Sequence, residues 1–269
     1  MAEKLKRKEL RAPDALQRAG LEARHWMEGR EKLIVGTVVA VVAIGAAVAL
    51  FHYFSDRSER MAERQLGTAL IPLTRPVAEP GQQPPPNLPE TEKPFATQRE
   101  KDEAVVASLI KFRQEHRGTR SATTAALPLA QSLNRLGRYD EALRAYDEFL
   151  KGAAQGDPLR AAALEGKGYA YEAKGQLDEA LRAYDELARL QKAEFLDGMG
   201  LFHRARILIL QGKKEEAAQA LSEIPPAFPN SAAARMATER LNLLASQGVK
   251  VPPPAPAAAP AAQDAGAGT

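Results

Sequence analysis

The stretch that decides the fold is GRYDEALRAYDEFL at residues 137–150, which recurs 38 residues later as GQLDEALRAYDELA at residues 175–188. Ten of the fourteen positions are identical, and a weaker third copy begins at Gly212, 37 residues after the second. Self-similarity at a fixed period in this range is typical of a solenoid of stacked repeats. The spacing therefore predicts three structural units over roughly residues 120–230.

Each copy carries the features of two helices joined by a tight turn. Its glycine is expected to end the first helix in the left-handed conformation, and the Asp-Glu pair favours the positive end of the second helix dipole. Small residues recur where two helices must pack closely, at Ala142, Ala180 and Ala217. Bulky residues follow four positions later on the same helical face, at Tyr146, Tyr184 and Leu221. The pattern therefore predicts helix, turn, helix throughout.

This unit resembles the tetratricopeptide repeat family, whose unit is a pair of antiparallel helices. The residues that fit best are Gly168, Tyr171, Ala180, Tyr184, Ala217 and Pro229. The resemblance implies an all-α solenoid of about three repeats that binds other proteins. The periods exceed the usual length of about 34 residues, which predicts longer turns after Leu150 and Leu190. Lys167 and Arg204 stand where a leucine is common, and Pro128 predicts that the first helix of the first repeat is kinked or starts late.

Three repeats leave both ends of the stack uncovered, so flanking helices are expected. One is predicted from Thr97 to His116, with an apolar stripe made of Val105, Leu109 and Phe112. The other is predicted from Ser231 to Ser246, where Asn230-Ser231 can cap the helix. The helical domain is thus predicted over residues 97–248.

A second feature, residues 33–54, is a run of 22 without a charged side chain. As a helix rising about 1.5 Å per residue it is roughly 33 Å long, enough for a hydrocarbon core of about 30 Å. A cleavable signal peptide is the alternative, but its apolar region should be shorter and followed by small residues. Here Phe51-His52-Tyr53-Phe54 ends the run and 32 residues precede it. The sequence therefore predicts one uncleaved transmembrane helix.

The charges around this helix predict its orientation. Residues 1–32 carry nine Lys and Arg, and a long downstream domain crosses a membrane whatever its own charge. This predicts a cytoplasmic N-terminal tail and an exported C-terminal domain, which in a bacterium means the inner membrane and the periplasm. Within the helix, Gly36 with Ala40 and Gly45 with Ala49 would let two copies approach closely, so a homodimer is left open.

Two further segments are poor in core-forming residues. Residues 55–96 are predicted to be a helical extension followed by a semi-rigid stalk, because the proline-rich segment, residues 76–94, holds seven prolines. A proline-rich ligand for an SH3-like partner is the alternative interpretation. Residues 249–269 are almost entirely Pro, Ala, Gly and Gln, with too little apolar bulk to offset the entropy of ordering, so they are predicted to be disordered.

Composition and motifs argue against several classes of function. The chain has 37 Lys and Arg against 34 Asp and Glu, but residues 95–248 carry 22 basic and 21 acidic side chains, so no nucleic-acid-binding face is predicted. There is no cysteine, and the four histidines are scattered without a metal-binding, phosphate-loop or serine-elbow motif. Acidic pairs such as Asp140-Glu141 recur at helix starts, which indicates capping. No catalytic, metal or cofactor site is predicted, and an enzyme is the remote alternative.

The whole arrangement resembles bacterial inner-membrane proteins of the YfgM type. That resemblance implies a protein-binding module near the Sec translocon and periplasmic chaperones, which receives or passes on exported clients. A scaffold for envelope assembly or cell division is the alternative. The groove positions of the repeat family, carried over to this chain, are Gln131, Asn134, Glu165, Tyr169, Glu172, Phe202, Arg206 and Ile209. Tyr169 and Phe202 also suit the core, and Leu127 and Gln131 do not match the basic clamp that holds a terminal carboxylate.

Overall fold

A computed structural model describes residues 30–79, 87–89, 91–190 and 196–253. The predicted basic tail up to residue 29 and the predicted disordered segment from residue 254 lie outside the described residues. The regular elements in the described part are the helices α1 (Glu31–Ala69), α2 (Ile71–Thr74), α3 (Gln98–Glu115), α4 (Arg120–Thr124), α5 (Ala126–Arg135), α6 (Tyr139–Gly152), α7 (Leu159–Ala173), α8 (Leu177–Ala188), α9 (Met199–Leu210), α10 (Lys214–Ser222), α11 (Ile224–Ala227) and α12 (Ala232–Ser246). The prediction of an all-α chain is confirmed.

Contacts divide the chain after Arg57 into two units, which are described separately. In the first unit, α1 is long and apolar enough to cross a membrane, although a signal sequence near the N-terminus would have the same character. The large apolar side chains described between Leu33 and Phe54 are 50–70% exposed. Such a continuous apolar surface is not stable in water unless something covers it.

In the second unit, three helix pairs follow one another: α5 with α6, α7 with α8, and α9 with α10. The turn inside each pair is three residues long and contains a glycine with positive φ: Gly137 at 76°, Gly175 at 71° and Gly212 at 80°. Glycine adopts this left-handed conformation without the steric cost that a Cβ imposes. The small residues and the bulky residues of the repeated motif are buried as predicted: Ala142, Ala180, Ala217, Tyr146, Tyr184 and Leu221.

Lys167 and Arg204, which stand at positions where leucine is common, each form an ion pair with an aspartate of the preceding helix. Lys167 Nζ lies 2.6 Å from Asp147 Oδ1, and Arg204 Nε lies 3.5 Å from Asp185 Oδ1. Because the two pairs occupy equivalent positions, they form one ion pair repeated between the second helix of a repeat and the first helix of the next. Polar contacts here take the place of leucine packing at the edge of the stack.

Two other expectations concern the turns and Pro128. The connection between α6 and α7 is six residues long, twice the length of the turns within repeats, which agrees with a longer turn after Leu150. The connection after Leu190 includes residues 191–195, which lie outside the described residues. Pro128 falls in the first turn of α5, where its missing amide hydrogen has no helical partner to lose, so this helix starts late.

The N-terminal flank of the repeats is larger than predicted. Ala62 and Ala69 of α1 are buried in the same core as Val105 and Leu109 of α3. Ser108 Oγ also donates a hydrogen bond to the carbonyl oxygen of Ala69 at 2.8 Å. The packed domain therefore begins within α1, rather than at residue 97. Sequence reasoning missed this because residues 58–70 show only a few apolar positions, which alone do not indicate a partner.

The described residues at the two ends of the proline-rich segment lie side by side, which argues against the predicted stalk. Ala78 N donates to the Phe95 carbonyl oxygen at 2.8 Å, and Phe95 N donates to the Pro76 carbonyl oxygen at 3.0 Å. Arg75 Nε donates to the Lys93 carbonyl oxygen at 2.8 Å, and the Arg75 guanidinium lies 4.0 Å from the centre of the Phe95 ring. A spacer needs its two ends to lie apart, whereas these contacts hold them together.

The contact between Glu59 of α1 and the start of α4 provides a test of this enlarged flank. The Glu59 carboxylate accepts hydrogen bonds from Arg120 N at 2.7 Å, Ser121 N at 3.0 Å and Ser121 Oγ at 2.8 Å. Burial alone would raise the pKa of Glu59, but these hydrogen bonds hold it below its ordinary value. We expect Glu59→Ala to lower the free energy of unfolding by about 1 kcal/mol, measured by thermal unfolding of the full chain in detergent. Glu63→Ala, an exposed change in the same helix, should have little effect; equal effects would refute this role.

The C-terminal flank follows the prediction at its start and departs from it at its end. Ser231 Oγ accepts a hydrogen bond from Ala234 N at 3.1 Å, so it caps α12 as expected. Beyond the helix, Val249 and Val251 pack against the apolar cluster of α9, α10 and α12. The predicted disorder therefore does not begin at residue 249, because these two side chains contribute to the core.

Candidate functional site

The eight predicted groove residues lie on the first helix of each repeat, α5, α7 and α9. Because the repeats are offset by 38 and 37 residues, the predicted positions form three equivalent sets. The sets are Glu165 and Phe202, with Leu127 at the equivalent position of the first repeat although it is not a predicted groove residue; Gln131, Tyr169 and Arg206; and Asn134, Glu172 and Ile209. The structure joins four of the predicted residues into one polar network between the second and third repeats, and the other four lie outside it.

The first part of the network is centred on His203, which is buried on α9. Its Nε2 lies 3.0 Å from Glu165 Oε1 and 3.3 Å from the Tyr169 hydroxyl, both on α7. A carboxylate only accepts hydrogen bonds, so this geometry fits the imidazole tautomer with a proton on Nε2. His203 therefore ties α7 to α9 through a contact that no sequence motif indicated.

The second part of the network is an ion pair between Arg206 of α9 and Glu172 of α7. Arg206 Nη2 donates to Glu172 Oε2 at 2.6 Å, and Nη1 donates to the other carboxylate oxygen. This forked arrangement is the strongest geometry available to a guanidinium and a carboxylate. The Tyr184 hydroxyl donates to the same Glu172 Oε2 at 3.3 Å. Arg206 and Glu172 thus neutralise each other within the groove.

The environment shifts the pKa values of these groups in directions that keep the pairs intact. Burial alone would lower the pKa of Arg206, but its hydrogen bonds with Glu172 raise it above the ordinary value. Burial is the main reason that the pKa of Tyr184 and the pKa of Tyr169 are raised, and neighbouring carboxylates, Glu172 and Glu165 respectively, add to this. Both tyrosines therefore stay protonated, and Arg206 stays charged, at physiological pH.

Tyr184 also packs against the network, because its ring stacks on the His203 imidazole with centroids 4.8 Å apart. In the preceding repeat interface, the position equivalent to His203 is Gly166, and a Cβ there would meet the Tyr146 hydroxyl at 2.2 Å. The repeated tyrosine thus packs on glycine in one interface and on histidine in the next. Alignment of the repeats was the one signal that could have drawn attention to His203.

The remaining predicted residues lie elsewhere. Asn134 Nδ2 donates to the Gly166 carbonyl oxygen at 3.3 Å, which links the first two repeats. Gln131 is half-buried on α5. Phe202 is only 5% exposed and Ile209 packs against the same C-terminal cluster, whereas Tyr169 is 40% exposed. Of the two aromatic residues that also suited the core, Phe202 is buried in the core, whereas Tyr169 is partly exposed at the surface.

The chemistry of this arrangement is that of a binding surface. Arg206 of the network is already paired with Glu172, and Glu165 contacts His203, so the exposed side chain of the network is that of Tyr169. Among the described residues, no group of three His, Asp or Glu side chains could hold a metal ion.

Comparison with known families identifies the repeats. Residues 127–195 and residues 200–231 each match a tetratricopeptide repeat family model. The helical domain carries tetratricopeptide repeats. Such repeats form protein–protein interaction modules, and the two matches cover all three helix pairs almost completely. No curated protein matches the chain.

Among solved structures, the chain is similar to the nearly identical TPR-like repeats of a putative kinesin light chain from Podospora anserina. The two are 17% identical, the match covers 72% of this chain and 95% of that one, and the TM-score is 0.38.

Proposed function

We propose that the chain is a single-pass protein of the bacterial inner membrane whose tetratricopeptide repeats bind other proteins on the periplasmic side. The observation that carries the proposal is helix α1, whose described large apolar side chains between Leu33 and Phe54 are 50–70% exposed. Every backbone polar group of a helix is paired internally, so a bilayer can cover this run at no hydrogen-bonding cost. The repeats then act as a membrane-tethered binding module.

An anchor and a cleaved signal sequence make different predictions for the mature chain. We expect an epitope tag placed before Met1 to remain on the protein, and the protein to stay in the membrane pellet after alkaline carbonate extraction. Placing Lys at Val41 and Val42, in the middle of the run, costs about 2.5–3.5 kcal/mol per residue for insertion and should release the chain. Loss of the tag from the wild-type chain would show that the segment is a signal peptide.

The orientation rests on the nine Lys and Arg of residues 1–32. In spheroplasts, added protease is expected to digest the repeat domain and leave an N-terminal tag protected. A repeat domain that becomes accessible only after the membrane is permeabilised would contradict the orientation.

The proposed partners follow from the resemblance to YfgM-type proteins, and are the Sec translocon, periplasmic chaperones or unfolded exported clients. The proposed contact surface is the groove formed by α5, α7 and α9, with Tyr169 as its exposed aromatic side chain. Crosslinking in intact membranes followed by purification is expected to recover translocon and chaperone subunits, and Tyr169→Ala to reduce their yield. Recovery of cell-wall or outer-membrane assembly factors instead would favour a scaffold and contradict this assignment.

A further inference from the structure

A cleft lies between α9 of the last repeat and the flanking helix α12, outside the polar network of the groove. It is lined by Phe202, Met236, Glu239, Arg240 and Leu243, and its volume is about 250 Å³. Only Phe202 of these residues was predicted from the sequence as a groove residue. The volume is sufficient for one large apolar side chain, and the cleft therefore has the size of a binding pocket for a single residue of a partner.

The cleft presents apolar side chains where a flanking helix usually presents polar ones. Phe202 is 5% exposed, whereas Met236 is 38% exposed and Leu243 is 46% exposed. The neighbouring outward positions of α12, Arg235, Thr238 and Asn242, are polar. Since a terminal helix of a repeat stack needs a polar outer face for solubility, two exposed large apolar residues beside a cleft indicate a surface that a partner covers.

The charges at the cleft differ from those of the groove. In the groove, Arg206 is paired with Glu172, and His203 contacts Glu165. In the cleft, neither Arg240 nor Glu239 has a hydrogen-bond or ion-pair partner among the described residues. Arg240 is half-buried, while Glu239 is exposed to water. A partner carboxylate can therefore pair with Arg240. The attraction to this half-buried guanidinium is less screened by water than the repulsion from the exposed Glu239 carboxylate.

The spacing of these residues defines a stripe along α12. Met236, Arg240 and Leu243 are separated by four and three residues, so they share one face of the helix over roughly 10 Å. The stripe reads apolar, basic, apolar. Its complement is a second helix that reads apolar, acidic, apolar at the same spacing.

We propose that this cleft binds an amphipathic helix of a partner protein in which an acidic side chain stands between two large apolar residues, one turn to either side. One apolar side chain enters the cleft against Phe202, and the acidic side chain pairs with Arg240. This inference rests on the proposed function, since it names a segment that the repeat domain recognises.

The test uses the full chain in detergent and three fluorescent peptides with blocked termini and an Ala/Gln background. The first peptide has Leu, Glu and Leu at positions i, i+4 and i+7; the second has Lys in place of Glu; the third has Ala in place of both Leu residues. We expect the first peptide to bind about tenfold more tightly than either of the others, as measured by fluorescence anisotropy. Equal binding of the first two peptides would overturn the proposal.

A charge reversal separates a local contact from a general electrostatic effect. Arg240→Glu should reverse the preference, so that the lysine peptide binds more tightly than the glutamate peptide. Arg235→Glu, the same change on an outward position of the same helix, should leave the preference unchanged. Equal loss in both variants would mean that net charge alone is sensed, and would refute the site. Circular dichroism and thermal unfolding verify that both variants are folded.

The outcome also distinguishes this inference from the proposed function. If crosslinking in membranes recovers partners but the peptides are not discriminated, the cleft assignment fails and the binding function stands. If no partner is recovered in membranes, the proposed function itself fails, whatever the peptides show.

Discussion

Replacing Gly200 with alanine is expected to destabilise the helical domain by about 3 kcal/mol. Gly200 lies in the first turn of α9, where the backbone of α8 passes directly over it. A Cβ at this position would lie 2.4 Å from the amide nitrogen of Ala188, 2.7 Å from its Cα and 2.8 Å from the carbonyl oxygen of Tyr184. These are backbone atoms, so no side-chain rotation can relieve the overlap, and one of the two helices must shift.

The measurement is thermal unfolding of the full chain in detergent, monitored by circular dichroism. A loss of about 3 kcal/mol corresponds to a Tm lower by about 6–12 °C for a domain of this size. The matched control is Gly67→Ala, because Gly67 is also helical but a Cβ there meets nothing within 4 Å. Helix propensity then favours alanine by about 0.5–1 kcal/mol, so this variant should be unchanged or slightly more stable. Equal Tm values for the two variants would show that α8 and α9 do not pack this closely.

The repeats could be predicted from the sequence because their structure is local and recurs. Helix, glycine turn and helix lie within one period, so the same local preferences appear at Gly137, Gly175 and Gly212. The close contact of Gly200 with Ala188 could not be predicted in this way. It depends on how closely α8 and α9 approach each other, and this approach lies outside the repeated motif.

Errors in the prediction arose where contacts are distant in sequence. Composition alone favours an extended conformation for a segment with seven prolines. The two ends of the segment are joined instead by contacts around Arg75 and Phe95, which lie 20 residues apart in the chain: two backbone hydrogen bonds, a hydrogen bond from Arg75 and a cation–aromatic contact. No periodic pattern marks such a pair, because each residue alone is unremarkable in a polar segment.

The candidate site was partly predictable for the same reason. Glu172 and Arg206 occupy the positions expected from the repeat family, and they do lie together. Their mutual pairing was not predicted, since it requires the third repeat to present arginine against the glutamate of the second. His203, Met236 and Arg240 were missed because they depart from the repeated motif or lie beyond it. Binding specificity in a repeat stack depends on such departures, whereas the repeated residues hold helices together.

Replacing Arg135 with methionine is expected to destabilise the domain by about 2–3 kcal/mol. The side chain of Asp102, on α3, is 2% exposed, and Arg135, on α5, is its main partner. Arg135 Nε lies 3.0 Å from both carboxylate oxygens and Nη2 lies 2.6 Å from Oδ1. Methionine retains most of the apolar stem, so the loss arises chiefly from leaving a buried carboxylate without its counter-charge. The side chain of Arg135 is 44% exposed, so the expected loss is smaller than for a fully buried ion pair.

The pH dependence of unfolding tests this cause directly. Burial alone would raise the pKa of Asp102, but hydrogen bonds from Arg135 and Gln98 hold it below its ordinary value in the folded chain. In the wild-type chain, the Asp102 carboxylate therefore stabilises the fold at pH values above its unfolded pKa of about 3.9. This stabilisation is lost as the pH falls through the lower pKa of Asp102 in the folded chain.

In Arg135→Met, burial is expected to raise the pKa of Asp102 in the folded chain. As the pH falls, Asp102 then becomes protonated, which removes the unpaired buried charge and its destabilising effect. The stability difference between the two chains should be largest at pH 7 and shrink toward pH 3 in denaturant titrations. Arg138→Met, which breaks an exposed pair with Glu141, should cost under about 1 kcal/mol. A difference that stays constant with pH would show that Arg135 acts through packing alone and that Asp102 does not need its charge balanced.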